Sequence, residues 1–165
     1  MQRRIPAVVA ILLVPLAVAA PTMAQQPVRS LTIGAQTPPS SLDPHYHNTT
    51  QNNAALGQIF ERLFELTPRG TIEPRLAERV RALDATTWEV TLRAGVRFHD
   101  GTPFEADDIA WTYARIPQVA NSPALFTVAV RNITTVEVKD PRTVILRTRE
   151  PTPMLPTDLA SPVIL

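Results

Sequence analysis

Residues 92–111, LRAGVRFHDGTPFEADDIAW, constrain the fold more than any other segment of this chain. They predict the end of a strand, a turn at Gly95 and a short strand from Val96 to Phe98. Asp100 and Gly101 then predict a second, tight turn. Acidic residues follow Pro103 in the first turn of a predicted helix, where they complement the helix dipole and the unpaired N–H groups. These are Glu105, Asp107 and Asp108. Such a mixture within so short a segment indicates an α+β domain.

Other strands are predicted from alternating apolar and polar residues. They span Ser30–Ala35, Trp88–Leu92, and a hairpin of Ile133–Lys139 with Thr143–Thr148. Asp140 and Pro141 fit the first two positions of a type I turn between the hairpin strands. The sequence therefore predicts a mixed sheet with short helices.

Three helices are predicted. Apolar residues at helical spacing indicate one over Asn53–Phe64, and Pro74 is expected to open a second that carries Leu76 and Val80. The third reaches Arg115 and buries a face that includes Ile109 and Tyr113. Turns are predicted at Ser41–His45 and Thr67–Gly70, and a polar loop at His47–Asn53.

The first 24 residues are predicted to be a secretory signal peptide. Arg3 and Arg4 form a positive start, residues 5–20 are almost wholly apolar, and small residues precede a cleavage point between Ala24 and Gln25. The apolar run is shorter than the roughly 20 residues of a spanning helix, which argues against a membrane anchor. Without this segment the chain has 14 basic and 15 acidic side chains, a formal charge of −1. We therefore expect no electrostatic binding of nucleic acid.

The chain has three histidines, His45, His47 and His99, and no cysteine. Their spacing matches no helical zinc motif, so we predict neither a metal site nor a cofactor. His99 and Asp100 are adjacent and rarely face each other, and no Gly-x-Ser-x-Gly elbow accompanies them. We expect His45 and His99 to be turn residues whose rings bond nearby backbone. No catalytic residue is predicted.

Several segments occur in the order found in one family of binding proteins. SLDPH at 41–45, IFERL at 59–63, IEPRLAE at 72–78 and WEVTLR at 88–93 precede the rest of the 92–111 block. Together they resemble the family 5 extracytoplasmic solute-binding proteins, the peptide- and nickel-binding components of ABC importers. Each segment alone is weak evidence, but the ordered series is specific.

The resemblance implies part of a two-lobed α/β fold of the periplasmic-binding-protein type II kind, in which a cleft closes on the solute. Residues 25–165 would form an incomplete first lobe and its extra subdomain. The ligand contacts implied for this region lie just after residues 41–45, at His47, Asn48 and Thr50. Relatives are longer, and the end at 163–165 is apolar, so we expect an N-terminal fragment.

The implied function is capture of a peptide, such as a dipeptide or a glutathione-like molecule, without catalysis. The soluble periplasmic protein would deliver it to an ABC permease and its ATPases. A nickel chelate or haem is the alternative ligand within the family. From other classes, a periplasmic hydrolase that uses His99 and Asp100, or a truncated chain that binds nothing, are the alternatives.

Overall fold

The computed structural model describes residues 30–123 and 126–165. The chain divides into two units, residues 1–34 and 35–165. The predicted signal peptide, residues 1–24, lies outside the described residues. Within the described ranges, no helix is both long enough and apolar enough to cross a membrane.

The strand predicted over Ser30–Ala35 is wrong, because these residues form no β-ladder. In the first unit, the Leu31 and Ile33 side chains are exposed. Alternation distributes side chains over two faces, but a strand also needs a hydrogen-bonded neighbour. No strand in the described part of the chain pairs with this segment.

The second unit contains four short helices and six strands among its described residues. In chain order they are α1 (Thr50–Leu56), β1 (Phe64–Leu66), β2 (Ile72–Pro74), β3 (Ala77–Ala82), β4 (Thr87–Leu92), α2 (Ala106–Arg115), α3 (Thr127–Val130), β5 (Ile133–Asp140), β6 (Thr143–Thr148) and α4 (Leu155–Asp158). This mixture confirms the predicted α+β class.

Antiparallel pairing builds a four-stranded sheet in the order β3-β4-β6-β5. In its centre, Val90 of β4 lies opposite Val144 of β6, and both are fully buried. The predicted hairpin of β5 and β6 is confirmed, and the Arg142 backbone N–H donates to Asp140 Oδ1 (2.8 Å) in its turn. A smaller hairpin, β1 with β2, closes through the predicted turn at Thr67–Gly70, where the Gly70 N–H donates to the Thr67 carbonyl (2.9 Å).

Helix α2 packs against the sheet and begins where the acids predict. The Glu105 backbone N–H donates to Asp108 Oδ2 (2.8 Å), which satisfies a donor at the helix start. Ile109 and Tyr113 are buried as predicted. After Arg115 the chain continues as a single 3-10 turn, Ile116–Gln118, because Pro117 cannot continue an α-helix.

One apolar core joins the sheet, α2 and the last described segment. It includes Leu92 and Leu146 from the sheet, Ile109 from α2, and Leu159 and Ile164 from the end of the chain. The apolar run at 163–165 therefore enters the core, as an apolar run of this kind usually does.

The helix predicted to open at Pro74 is wrong. Pro74 ends β2, and Val80 lies in β3, which pairs along its length with β4. The pattern was ambiguous, since Leu76 and Val80 are four residues apart and share a face on a strand as well as on a helix. Pairing with β4 decides between the two.

The helix predicted over Asn53–Phe64 is shifted and shortened. It is α1, which begins at Thr50 and ends at Leu56, so the predicted loop His47–Asn53 is helical in its second half. Thr49 accepts a hydrogen bond from the Asn52 backbone N–H (3.4 Å) and supplies the N-cap that pattern analysis missed.

The short strand predicted at Val96–Phe98 is reduced to one isolated bridge, between Arg97 and Pro103. The two turns that flank it are confirmed. Gly95 and Gly101 have φ of 73° and 88°, and the Gly101 N–H donates to the Phe98 carbonyl (2.9 Å). Two residues with positive φ this close together leave too little extended chain for a ladder.

Candidate ligand-binding site

The predicted turn at residues 41–45 is held by its own side chains. The Asp43 backbone N–H donates to Ser41 Oγ (2.9 Å), and Asp43 Oδ1 accepts from the His45 backbone N–H (3.0 Å). The Tyr46 N–H donates to the Asp43 carbonyl (3.2 Å). These bonds fix the direction in which the chain enters residues 47–50, which we call the ligand loop.

His45 is fully buried at the base of the ligand loop. Its Nε2 lies 2.9 Å from the Val163 carbonyl oxygen, and its Nδ1 lies 2.9 Å from Arg115 Nη1. Burial lowers the pKa of His45; the bond to Val163 and the charge of Asp43 oppose this, and the charge of Arg115 supports it. The ring bonds a backbone carbonyl, as predicted, but that carbonyl belongs to Val163, which is remote in sequence and not part of the turn.

Arg115 reaches the same turn from the end of α2. Its guanidinium makes a two-pronged ion pair with the Asp43 carboxylate, at 3.1 Å from Nη1 to Oδ1 and 2.5 Å from Nη2 to Oδ2. Burial raises the pKa of Asp43, but the hydrogen bonds from Arg115 and from the His45 backbone outweigh it, so the pKa lies below its ordinary value. Asp43, His45 and Arg115 form a unit that we call the clamp.

The three predicted ligand residues lie together on the ligand loop but point to different neighbours. His47 Nδ1 is 3.0 Å from Ser40 Oγ, and Asn48 Oδ1 accepts from Asn53 Nδ2 (3.0 Å). Thr50 is exposed in the first turn of α1. Their role in binding stays a prediction.

Asn52 holds the segment before the ligand loop in place, although sequence analysis did not single it out. Its side chain is buried; its Oδ1 accepts from the Ser40 backbone N–H (3.0 Å) and its Nδ2 donates to Ser40 Oγ (3.1 Å). The residue that orders this loop is therefore an asparagine next to the predicted contacts.

A cavity of about 520 Å³ opens beside the ligand loop and takes in Asn48, but not His47 or Thr50. Its walls carry both signs of charge, with Arg62 as the cation and Glu65 and Asp158 as the anions. The other lining residues are Asn53, Leu66, Val128, Ala129, Thr157, Ala160 and Ser161. No sequence pattern indicated this set, because β1 and α4 bring together residues that are far apart along the chain.

The charged groups of this cavity differ in how far they are already paired. Arg62 Nε donates to the Ser161 carbonyl (3.2 Å), which fixes the direction of the guanidinium. Glu65 pairs with Arg75. Burial raises the pKa of Asp158, and the charge of Arg131 opposes this. The cavity thus offers a directed cation and a partly desolvated carboxyl group.

A second cavity, of about 570 Å³, contains His99. In the described part of the chain, Asp100 makes its side-chain hydrogen bonds to Thr102 and none to this ring. Its Oδ1 accepts from the Thr102 backbone N–H (2.9 Å) and from Thr102 Oγ1 (2.7 Å), and these bonds lower its pKa. The expectation that His99 and Asp100 are turn residues is confirmed, but no hydrogen bond from the His99 ring to backbone is found among the described residues.

Within the described ranges, no group of three or more His, Asp or Glu side chains is placed to hold a metal ion. Both ring nitrogens of His45 are already engaged. Asp107 and Asp108 belong to the first turn of α2.

A family model described as bacterial extracellular solute-binding proteins, family 5 Middle, matches residues 71–164. The chain belongs to this family. The resemblance inferred from the ordered motifs is therefore confirmed. Family 5 proteins are binding proteins that deliver small solutes such as peptides to ABC importers.

The individual proteins to which this chain is similar bind different solutes. The glutathione-binding protein GsiB of Escherichia coli is 31% identical over 113 residues, which are 68% of this chain and 22% of that protein. The murein tripeptide binding protein MppA of Escherichia coli has 25% identity and a TM-score of 0.68, over 74% of this chain and 27% of that one. AgaA of A. tumefaciens, solved with agropinic acid, has 28% identity and a TM-score of 0.66, over 77% and 26%. The chain thus spans about a quarter of the length of these three proteins.

Proposed function

We propose that this protein captures a small peptide-like solute in the periplasm and delivers it to an ABC importer. The observation that carries the proposal is the cavity beside the ligand loop, whose walls hold a cation and two carboxylates. A short peptide is a zwitterion, with a carboxylate at one end and an ammonium group at the other. A wall with both signs of charge fits such a solute better than a uniformly apolar or uniformly charged one.

Arg62 is the proposed partner of the solute carboxylate. A guanidinium matches a carboxylate with two parallel hydrogen bonds, and Nε is already held by the Ser161 carbonyl, so less freedom is lost when a ligand binds. Asp158 is the proposed partner of the ammonium group, because a carboxyl group that is partly desolvated by burial interacts more strongly with an opposite charge than one in open solvent.

His47, Asn48 and Thr50 are proposed to add polar contacts at the rim of the cavity. Asn48 lines the cavity, and its side chain is exposed and therefore accessible to a solute. We propose that residues 25–165 contribute one side of a binding cleft, namely the first lobe and its extra subdomain. Residues 1–24 are proposed to direct export to the periplasm.

A thermal-shift and calorimetry panel on the full-length protein tests this function. Glutathione, dipeptides and a tripeptide are the expected ligands, whereas a nickel–histidine chelate and haem represent the alternative within the family. A true ligand at a hundred times its Kd adds about 2.7 kcal/mol to the free energy of unfolding. Binding of the metal chelate or haem in preference to every peptide would contradict the proposal.

A substitution at Arg62, compared with a control substitution, tests whether this cavity is the peptide site. Arg62→Met should weaken peptide binding by about tenfold or more, because a hydrogen-bonded charge pair with the ligand is lost. Arg147→Met is the matched control, since Arg147 forms an exposed ion pair with Glu137 on the β5–β6 hairpin. Equal affinities of the Arg62 variant and the control would exclude this cavity as the peptide site.

A further inference from the structure

The clamp joins three segments through one guanidinium group. Arg115 of α2 bonds both oxygens of Asp43 and lies 2.9 Å from His45 Nδ1. His45 in turn contacts the Val163 carbonyl. On its outer side the guanidinium lies over the exposed Trp111 ring, 5.9 Å from its centroid. The ligand loop therefore leaves the protein body directly after a junction that a single side chain organises.

The hydrogen bonds of the clamp determine the tautomer of His45. A carbonyl oxygen only accepts, so Nε2 must carry the proton that points at Val163. A guanidinium only donates, so Nδ1 must be the bare nitrogen that faces Arg115. His45 is consequently neutral in this arrangement, since a second ring proton would put two N–H donors against each other.

We propose that Arg115 is a positioning residue for the ligand loop and that its contact with His45 requires a neutral ring, so that acid loosens the loop and weakens solute binding. The part that concerns the solute rests on the proposed function, whereas the part that concerns loop order does not. One planar group holds Asp43 and His45 together, and lysine, with a single nitrogen, cannot reproduce both contacts in the same geometry.

The surroundings of His45 support this dependence on pH. The charged groups that face its ring are Asp43, from its own turn, and Arg115, from α2. The segment at Val163 presents only a backbone carbonyl, and Phe126 presents an aromatic ring with its centroid 6.1 Å away. Because Asp43 is already paired with Arg115, a protonated His45 would find no free carboxylate in the clamp.

The first test is nuclear magnetic resonance of the His45 ring in the full chain. We expect the Nε2–H tautomer at pH 7.5 in the wild type and in Arg147→Met, and mixed tautomers in Arg115→Met. A wild-type His45 ring that is charged or carries its proton on Nδ1 would overturn the proposal.

The second test is amide hydrogen exchange of residues 45–53, compared at equal pH with exchange in β4 and β6. Arg115→Met should raise exchange in the loop by about tenfold, as expected when hydrogen bonds to a charged group are lost. Arg115→Lys should fall between this variant and the wild type, and Arg147→Met should leave exchange unchanged. In the wild type, loop exchange corrected for its intrinsic pH dependence should rise as His45 becomes protonated.

Unchanged loop protection in both Arg115 variants would sink the proposal. If Arg115→Met does not fold, Arg115→Lys and the wild-type pH series test the proposal instead. A loop that stays protected from exchange in both would overturn it.

Glutathione is the probe for the binding part. Its affinity should fall by about tenfold in Arg115→Met at pH 7.5, and the difference from the wild type should shrink once His45 is protonated. A full-length wild type that binds no peptide contradicts the proposed function, whereas the tautomer and exchange results still decide the role of Arg115. Equal affinity in Arg115→Met and the wild type, with a loosened loop, overturns the link between loop order and binding.

Discussion

The four-stranded sheet and the segment from Ser40 to Asn53 are held together in opposite ways. In the sheet, main-chain ladders join β3, β4, β6 and β5, and the apolar side chains fill one core. In the Ser40–Asn53 segment, side chains bond to backbone and to one another, as Ser40 does with Asn52 and Arg115 with Asp43. The sheet is robust because many similar contacts share the stabilisation, whereas the Ser40–Asn53 segment depends on a few specific side-chain hydrogen bonds.

The largest effect should come from the sheet. Leu146→Ala removes a fully buried side chain from β6 and should lower the free energy of unfolding by about 3 kcal/mol, since it leaves a cavity as well as losing apolar burial. Urea unfolding of the chain measures this loss. Leu83→Ala is the control, because Leu83 is 45% exposed, and it should cost less than about 1 kcal/mol. Equal losses would show that the core is not where the structure places it.

The clamp should make the free energy of unfolding depend on pH. The pKa of His45 is lowered from 6.5 in the folded protein, so below pH 6.5 the unfolded chain binds more protons than the folded one. The stabilisation from a neutral His45 is therefore complete above pH 6.5 and is lost as the pH falls towards the lowered pKa. The slope from this one group should reach at most about 1.4 kcal/mol per pH unit.

Urea unfolding between pH 7.5 and 5.5 checks this slope, and His45→Gln should remove it. A slope that persists in the His45 variant would assign the pH dependence to another group.

The same contrast explains which features could be predicted from the sequence. Strand β4, the β5–β6 hairpin and α2 follow from local alternation, turn residues and acids at a helix start, because each signal lies within the element itself. The clamp could not be predicted, since Arg115 meets Asp43 only after α2 has packed on the sheet. The hydrogen bond from Arg62 to the Ser161 carbonyl, just after α4, also forms only in the folded protein and could not be predicted either.

The incorrect predictions of helices and strands have related causes. The segment that contains Leu76 and Val80 satisfies the helical and the strand pattern equally, and pairing with β4 selects the strand. Helix α1 begins earlier than its apolar residues indicate, because Thr49 can cap it. Sequence periodicity therefore identifies faces more reliably than it identifies the type or the limits of an element.

Local turn geometry should contribute an intermediate effect. Gly101 has φ of 88°, and a Cβ added there would meet no atom within 4 Å, so only backbone strain opposes a side chain. Gly101→Ala should lower the free energy of unfolding by about 1 kcal/mol. At Gly34, where φ is not positive and space is also open, alanine should change it by less than about 0.5 kcal/mol. A neutral Gly101→Ala would indicate that this turn does not require the left-handed conformation.

The smallest effect is expected at His99. The ring is exposed at a turn whose geometry comes from Asp100 and Thr102, so His99→Ala should change the free energy of unfolding by less than about 0.5 kcal/mol. It should also leave peptide binding unchanged, because His99 lies in the second cavity and not in the one beside the ligand loop. Peptide hydrolysis by the full-length protein, measured by mass spectrometry of the incubated ligand, is the decisive observation. Turnover that His99→Ala abolishes would make this turn catalytic and would reverse the assignment of function to the loop.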